Sequence, residues 1–563
     1  MESNKNFNER LESALQAHKK NDLLSAETLY RQCLKIQASP EAQYLLGLLL
    51  AQKKDYLQSI FSLEQVISQN INNAEIFNAL AINYEKLRHF KTAARLIKKA
   101  LKISPHAAQY LNRYCKILIH QHNYDNAISI AENNIAINPS YGAAYVSLSL
   151  AYSGSMRKHK SLQILKKGLR HAPGNADILF NLAENYQSLR YFDKAKFLYQ
   201  SLINNHYMVS ECLTNLSAIE KELGYYKQAH ELLNQALNVK SYNPLAQWNR
   251  CLLNLLQGNY NQNWRDYDLG LTLGQRKTMN LNIRLWKGES LTNKSIIITK
   301  EQGIGDEIMF ARAIPLLAKK AQNCTLICSQ RLKNTFTLSY PNVSVIGDEE
   351  LQHLNHKKYD YYISVGSVFQ YINISDLSDS VNTLKSEFTS LNQQQFLHTS
   401  HAKQLKIGFA WRGGSDLPEK LRRSTHIRHW QALFLLAGVE YYCLQKGTQE
   451  KDKKLIHHFS NENVIFDQDI SKGENLDKLV AFIAQMDLII TVDNTVAHLA
   501  AASGVETWCL LSLSPDWRWG LNSSTSHWYE SIRLFRQKRF NNWNTVFEEV
   551  KKCLIKERLL LQQ

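Results

Sequence analysis

The chain has 563 residues, 44% hydrophobic and 21% charged, a composition ordinary for a soluble globular protein of several domains. Its net charge of +17 would suit an anionic partner, yet Lys and Arg are scattered without a sustained basic run, which argues against nucleic acid. No apolar run reaches the roughly eighteen residues needed to cross a membrane, and the polar start Met-Glu-Ser-Asn-Lys-Asn carries no signal-peptide core. The nine cysteines are dispersed with no CxxC, as expected of reduced thiols in a cytoplasmic chain. Cys324 and Cys328 flank an apolar run and read as buried. No His, Cys and carboxylate set has metal-ligand spacing, so neither a metal nor a resident cofactor is expected.

The first half repeats itself. Ala93, Ala127, Ser161, Ala195 and Ala229 recur every 34 residues, and Pro105, Pro139 and Pro173 keep the same period. Ala81, Tyr84, Ala93, Ile97, Ala100 and Pro105 take the small, aromatic, small, large, small and Pro places of a tetratricopeptide repeat. Ala183, Tyr186, Ala195, Tyr199 and Leu202 do so again, and the pattern dissolves around Trp248 to Tyr267. Small residues let two antiparallel helices approach, bulky ones fill the space between units, and Pro ends the second helix. About seven or eight units over residues 8–268 would stack into a right-handed solenoid with a concave face. Asn78, Asn181 and Asn215 lie near the first helix of several units, where they suit either solvent or an extended peptide backbone.

After a linker at 269–292 the periodicity changes to short β-branched runs alternating with helical segments, the signature of parallel βαβ units. Ser295–Thr299, Thr325–Cys328, Val343–Ile346 and Tyr361–Val365 form a first series, with a helix over Ile308 to Ala321. A polar stretch from Ser375 to Lys403 reads as an interlobe connection. Lys406–Trp411, Tyr441–Leu444, Val464–Phe466, Leu488–Val492 and Thr507–Leu511 form a second series. Two Rossmann-like lobes, 293–400 and 401–542, imply a ligand cleft between them, and a closing amphipathic helix occupies 543–563.

Chemistry-bearing residues cluster where strands end. Leu488–Val492 stops at Asp493-Asn494, and an Ala-rich helix follows at once, with Asn494 suited to its N-cap. Such a helix start aims free N–H groups and a positive dipole end at the crevice, where a diphosphate could sit. Thr495 and His498 fall in its first turn, and a protonated His498 would offset charge on a leaving diphosphate. Gln445-Lys446-Gly447 and Arg412-Gly-Gly-Ser415 end two other strands of that lobe, and Arg422-Arg423-Ser424 lies in a loop, solvated or phosphate-binding. In the first lobe, Gly303-Ile-Gly-Asp306 follows the opening strand. Gly303 and Gly305 would permit positive φ and close ligand approach. Asp306 suits a general base, or equally an N-terminal carboxylate stabilised by the helix dipole. Trp517 and Trp519, flanking Arg518, could stack on a sugar or base, or pack a lobe interface.

Gly303-Ile-Gly-Asp306, the Val492–Gly504 stretch, Ser514-Pro-Asp-Trp-Arg-Trp519 and His527–Gln537 together resemble the heptosyltransferase-like glycosyltransferases of family nine. The layout is similar to bacterial proteins that join tetratricopeptide repeats to such a domain, flagellin glycosyltransferases among them. The resemblance implies a GT-B fold, with 293–400 as the acceptor-side lobe and 401–542 as the nucleotide-sugar lobe. It implies inverting, metal-independent sugar transfer, with Asp306 as the catalytic carboxylate and Asp493, Asn494, Thr495 and His498 as the donor loop. Lys446, Gln445 and Arg412 would assist at the donor phosphates. Asn494-Thr495 stands where heptosyltransferases usually have Thr-Gly. The activity expected is transfer from a nucleotide sugar to a protein docked by the repeats, flagellin being one candidate. A lipopolysaccharide-core transferase and an inactive repeat-containing adaptor are the alternatives.

Overall fold

The computed structural model describes residues 2–559 apart from 70, 261–262, 278, 280, 374–375, 378–383, 387–403, 415–416 and 461–462. An N-terminal tetratricopeptide solenoid is followed by an α/β region, and the chain divides into two compact units, Met1–Tyr207 and Met208–Gln563.

The first unit holds, among the described residues, twelve helices in six antiparallel pairs, from Glu2–Lys19 to Phe192–Asn204. Ala93, Ala127, Ser161 and Ala195 are fully buried where paired helices touch, so the 34-residue spacing of small side chains sets the helix approach. The helices preceding Pro105, Pro139 and Pro173 end two residues before each proline, at Ile103, Ile137 and His171. A second periodicity is invisible in composition. Lys54, Arg88, His122, Met156 and Arg190, each 34 residues apart, adopt positive φ of 58° to 66° in the turn between paired helices. Only in the second unit does this series continue with the residue suited to it, as Gly224 and Gly258.

The second unit opens with one more pair, Val209–Glu222 and Tyr226–Val239, then Pro244–Leu256 and two short helices ending at Thr272. The segment expected as a linker is packed. Arg276 is fully buried, its guanidinium donating to both oxygens of Glu301 (2.5 and 2.8 Å), to Asp268, to the Tyr267 carbonyl and to Ser367, while lying 4.0 Å over the Tyr267 ring. With its donors so engaged, the buried charge is compensated rather than stranded.

Two parallel sheets follow. The first comprises β1 (Arg284–Leu285), β2 (Ser295–Thr299), β3 (Asn323–Cys328), β4 (Ser344–Gly347) and β5 (Tyr361–Ser364), in the order β1-β5-β2-β3-β4. The second comprises β6 (Leu405–Ala410), β7 (Val439–Cys443), β8 (Val464–Phe466), β9 (Leu488–Val492), β10 (Thr507–Leu511) and β11 (Ile532–Arg536), in the order β11-β10-β9-β6-β7-β8. The central strands are apolar throughout because both sheet faces are covered; every residue of β9 and β10 is buried. Cys324 and Cys328 are buried in β3. Strand order reverses between β2 and β5 in the first sheet and between β6 and β9 in the second, and these switch points are where such sheets open a crevice.

β1 and β11 are strands that the sequence pattern does not predict. The helix placed at Ile308–Ala321 begins at Ile304 and is interrupted after Phe310, resuming at Ile314 with Pro315 in its first turn. The stretch from Ser375 to Lys403 falls mostly outside the described residues, as do Ser415 and the last four residues of the closing segment. The C-terminal helix Asn544–Leu554 buries Val546, Phe547, Val550 and Leu554 against the second lobe's core around Trp430 and Phe409.

Candidate functional site

The carboxyl ends of β6 and β9 meet at the switch point of the second sheet. Asn494 caps the Thr495–Ala502 helix as its sequence position predicts: Oδ1 accepts from the backbone N–H of Val496 (2.9 Å) and Ala497 (3.3 Å). Its Nδ2 donates to the Arg412 carbonyl at 3.1 Å, tying this turn to the loop after β6. Thr495, which stands where the glycine was expected, opens the helix without a positive φ, so the missing glycine costs the turn no strain. The glycine that close packing requires is Gly413, whose Cβ position would collide with the Asp493 carbonyl.

Gln445 supports that loop, its Oε1 accepting from the backbone N–H of Trp411 (3.1 Å) and Arg412 (2.8 Å). Its side-chain oxygen is thus engaged by protein rather than presented to a donor. The Arg412 guanidinium pairs with Asp452 at 2.8 Å and lies against Trp411. Lys446 is exposed after β7, two strands from β9, and its aliphatic stem runs over Gly473, which follows β8.

Asp306 lies within the first turn of the Ile304–Phe310 helix, and its Oδ2 accepts from the Gly303 N–H at 3.2 Å. Gly303 has φ −104° and Gly305 is helical, so neither supplies the positive φ expected of them; Gln302 does, at 56°. Gly305 is small for another reason. A Cβ there would lie 2.7 Å from Cδ2 of His498, across from the other lobe.

His498 occupies a different environment from the one proposed for a phosphate-facing cation. It is buried, packs at a tilt against Trp519 (ring centroids 5.0 Å) and shares a 3.0 Å hydrogen bond between Nδ1 and the Tyr529 hydroxyl. Burial pushes its pKa down to about 4 against the pull of Asp493 and Asp306, so the ring is neutral near pH 7. Trp519 and Trp517 are likewise packing residues rather than open stacking platforms. Trp517 sits among Trp264, Tyr267, Phe310 and Trp528, an aromatic hub joining the last repeat to both lobes. The Tyr226 hydroxyl donates to the Leu513 carbonyl at 3.0 Å from the same repeat side.

The feature that sequence spacing could not disclose is a charge ladder. Asp306 is ion-paired with Arg518 of the second lobe. Arg518 reaches Asp516 at 2.5 Å and the Gln302 side chain at 3.0 Å. The other oxygen of Asp516 takes Arg423 at 3.0 Å, and Arg423 reaches Glu419 (2.5 Å) and Asp493 (3.4 Å). Arg422 pairs with Glu419 and donates to the Ser514 carbonyl. Burial would raise the Asp516 pKa, but Arg518, Arg423 and Arg422 outweigh it and hold the carboxyl far below its usual range. Glu307, one residue past Asp306, is pushed up to about 7 by burial despite accepting from the Ser329 N–H.

A cavity of about 340 Å³ lies at the other end of the Thr495–Ala502 helix, lined by Ile308, Arg312, Tyr340, Leu384, Ala501 and Tyr529 among others. Among the described residues, no group of His, Cys, Asp and Glu could hold a metal ion, and no helix is long and apolar enough to cross a membrane.

A tetratricopeptide-repeat family model matches residues 40–70. Over 512 residues the chain is 22% identical to protein FlbA of Caulobacter vibrioides, spanning 85% of this chain and 83% of that protein. Among solved structures, it is similar to a tetratricopeptide repeat protein from Parabacteroides merdae, at 15% identity and TM-score 0.40, covering 44% of this chain and 99% of the other. It is also similar to YrrB, a TPR protein with an unusual peptide-binding site, at 19% identity and TM-score 0.27, covering 30% of this chain and 88% of YrrB.

Proposed function

We propose that the protein is a cytoplasmic glycosyltransferase that moves a sugar, with inversion, from a nucleotide sugar to a protein acceptor engaged by the repeats. The observation that carries this reading is the meeting of Asp306, on the first lobe, with the charged set that surrounds the β6–β9 switch point of the second. Asp306 takes the acceptor proton as the acceptor attacks the anomeric carbon. The bond from that carbon to the diphosphate oxygen breaks, and the nucleoside diphosphate leaves with the electron pair. The start of the Thr495–Ala502 helix and the Arg412 loop, held together by Asn494, stabilise the departing charge. Tetratricopeptide repeats support a protein acceptor, because a long concave surface suits a macromolecule better than a lipid or small glycan.

Intact-mass spectrometry of candidate acceptors, flagellin first, co-expressed with the wild type and with Asp306→Asn tests the proposal. The wild type adds a discrete sugar mass and the variant loses it at least 100-fold while still binding nucleoside diphosphate. Transfer retained by the variant rules out Asp306 as the base. A modified lipid with unmodified protein selects the glycan-core reading, and absence of both transfer and nucleotide binding selects the adaptor.

A further inference from the structure

The ladder through the crevice sets four carboxylates (Asp306, Glu419, Asp493 and Asp516) against three guanidiniums (Arg422, Arg423 and Arg518). Lys221, from the last complete repeat pair, adds a cation nearby, its charge disfavoured by burial and by Arg422. The set is close to neutral as it stands, so an entering diphosphate would bring uncompensated negative charge into a poorly solvated place. One carboxylate must yield. Glu419 holds both Arg422 and Arg423, and Asp516 holds both Arg423 and Arg518. Asp493 is buried at the end of β9. Asp306 is different: it belongs to the other lobe and joins the ladder through one guanidinium.

Arg518 also has unused capacity. Its Nε is buried without a hydrogen-bond acceptor, whereas Arg423 Nε is already engaged by Glu419 and Asp493. Buried donors of this kind are expensive unless something uses them, and a phosphate presents the oxygens that a guanidinium fork fits.

We propose that Arg518 is a donor-responsive latch on Asp306, holding the carboxylate while the crevice is empty and releasing it when a diphosphate takes the guanidinium. Arg423, on the next rung, is the second guanidinium of the diphosphate site. The inference rests on reading the β6–β9 crevice as the donor site, and it adds an order to the reaction. The base is engaged until the donor is in place, so the donor binds before the acceptor can be activated. Arg518 is a positioning residue for Asp306 in the empty protein and a ligand contact in the loaded one.

The test is a double-mutant cycle on the full chain, read by calorimetric binding of inorganic pyrophosphate and of a panel of nucleoside diphosphates. Asp306→Asn removes the competitor for Arg518, so pyrophosphate should bind about fivefold tighter than to the wild type. Arg518→Gln should weaken binding about tenfold or more, and in that background Asp306→Asn should change nothing. Arg518→Lys, which keeps the charge but not the fork, carries the same cycle if Arg518→Gln does not fold. An Asp306→Asn affinity equal to wild type overturns the latch. So does equal tightening in both backgrounds, which would be only the removal of a nearby negative charge. A wild type that binds neither pyrophosphate nor any nucleoside diphosphate overturns the donor-site reading itself, whereas binding without coupling overturns the latch alone.

Discussion

The contact between Gly305 and His498 predicts the effect of one methyl group. In Gly305→Ala the new Cβ would stand 2.7 Å from Cδ2, 3.2 Å from Nε2 and 3.4 Å from Cγ of His498. Ordinary carbon contacts lie near 3.5–4.0 Å, so the overlap approaches about 1 Å. The imidazole has little room to retreat, being bound to Tyr529 at 3.0 Å and packed against Trp519. Overpacking of this kind costs about 1–3 kcal/mol. His498→Ala alone should cost about 2–4 kcal/mol, from the lost ring and the stranded Tyr529 hydroxyl. Together the two changes should cost about 1–2 kcal/mol less than their sum, because the alanine then faces vacant space. All ten tryptophans lie downstream of residue 208, so urea unfolding followed by tryptophan fluorescence reports this unit directly. Strict additivity, or an unaffected Gly305→Ala midpoint, would refute the assignment of Gly305 to packing against His498.

Asn494→Ala removes a cap bonded to two N–H groups and the tie to the Arg412 carbonyl, and should cost about 1–2 kcal/mol in the same urea assay while weakening pyrophosphate binding. Met156→Gly relaxes a positive-φ, exposed residue and should stabilise the first unit by about 1 kcal/mol, seen as a raised midpoint in far-ultraviolet circular dichroism. The folded-state pKa of Glu307, raised to about 7, means that wild-type stability falls as pH rises from about 4.5 through 7, since only the unfolded chain ionises freely there. Glu307→Gln should therefore gain on the wild type between pH 5 and 8, by up to about 3 kcal/mol in urea titrations at each pH. His498 acts in the opposite sense. Its contribution is complete above about pH 6.5 and lost as pH falls toward 4, so a wild-type profile flatter than that of Glu307→Gln is expected.

The parts of the molecule legible in sequence are those governed by local periodicity. The 34-residue beat of small residues gave the helix pairs, and the apolar run ending at Asp493-Asn494 gave β9 and its capped helix, because spacing and N-cap chemistry act within a few residues. What escaped was set by distance or by residues that tolerate an unfavoured state. The positive-φ positions from Lys54 to Arg190 carry no glycine to mark them. Pro315 hides as a break because proline also suits a helix's first turn. β11 carries arginines at 533 and 536 within an otherwise apolar run, which weakens its strand signal. Asp306 and Arg518 are 212 positions apart, and nothing in either neighbourhood announces the other. The first-turn position of His498 suggested a cation, whereas the aromatic packing around it keeps the ring neutral.

The aromatic hub has a consequence for rearranging the chain. Trp264 and Tyr267 close the repeat series, yet they pack on Trp517 and Phe310, and Tyr226 grips the Leu513 carbonyl. The terminal repeats are therefore part of the foundation of the α/β unit, not an appendage to it. A graft that exchanges one docking array for another belongs upstream of Val209, where it leaves this foundation intact. A cut placed at the end of the visible repeat pattern would strip the crevice loop of its support and expose Trp517 and Phe310 to water.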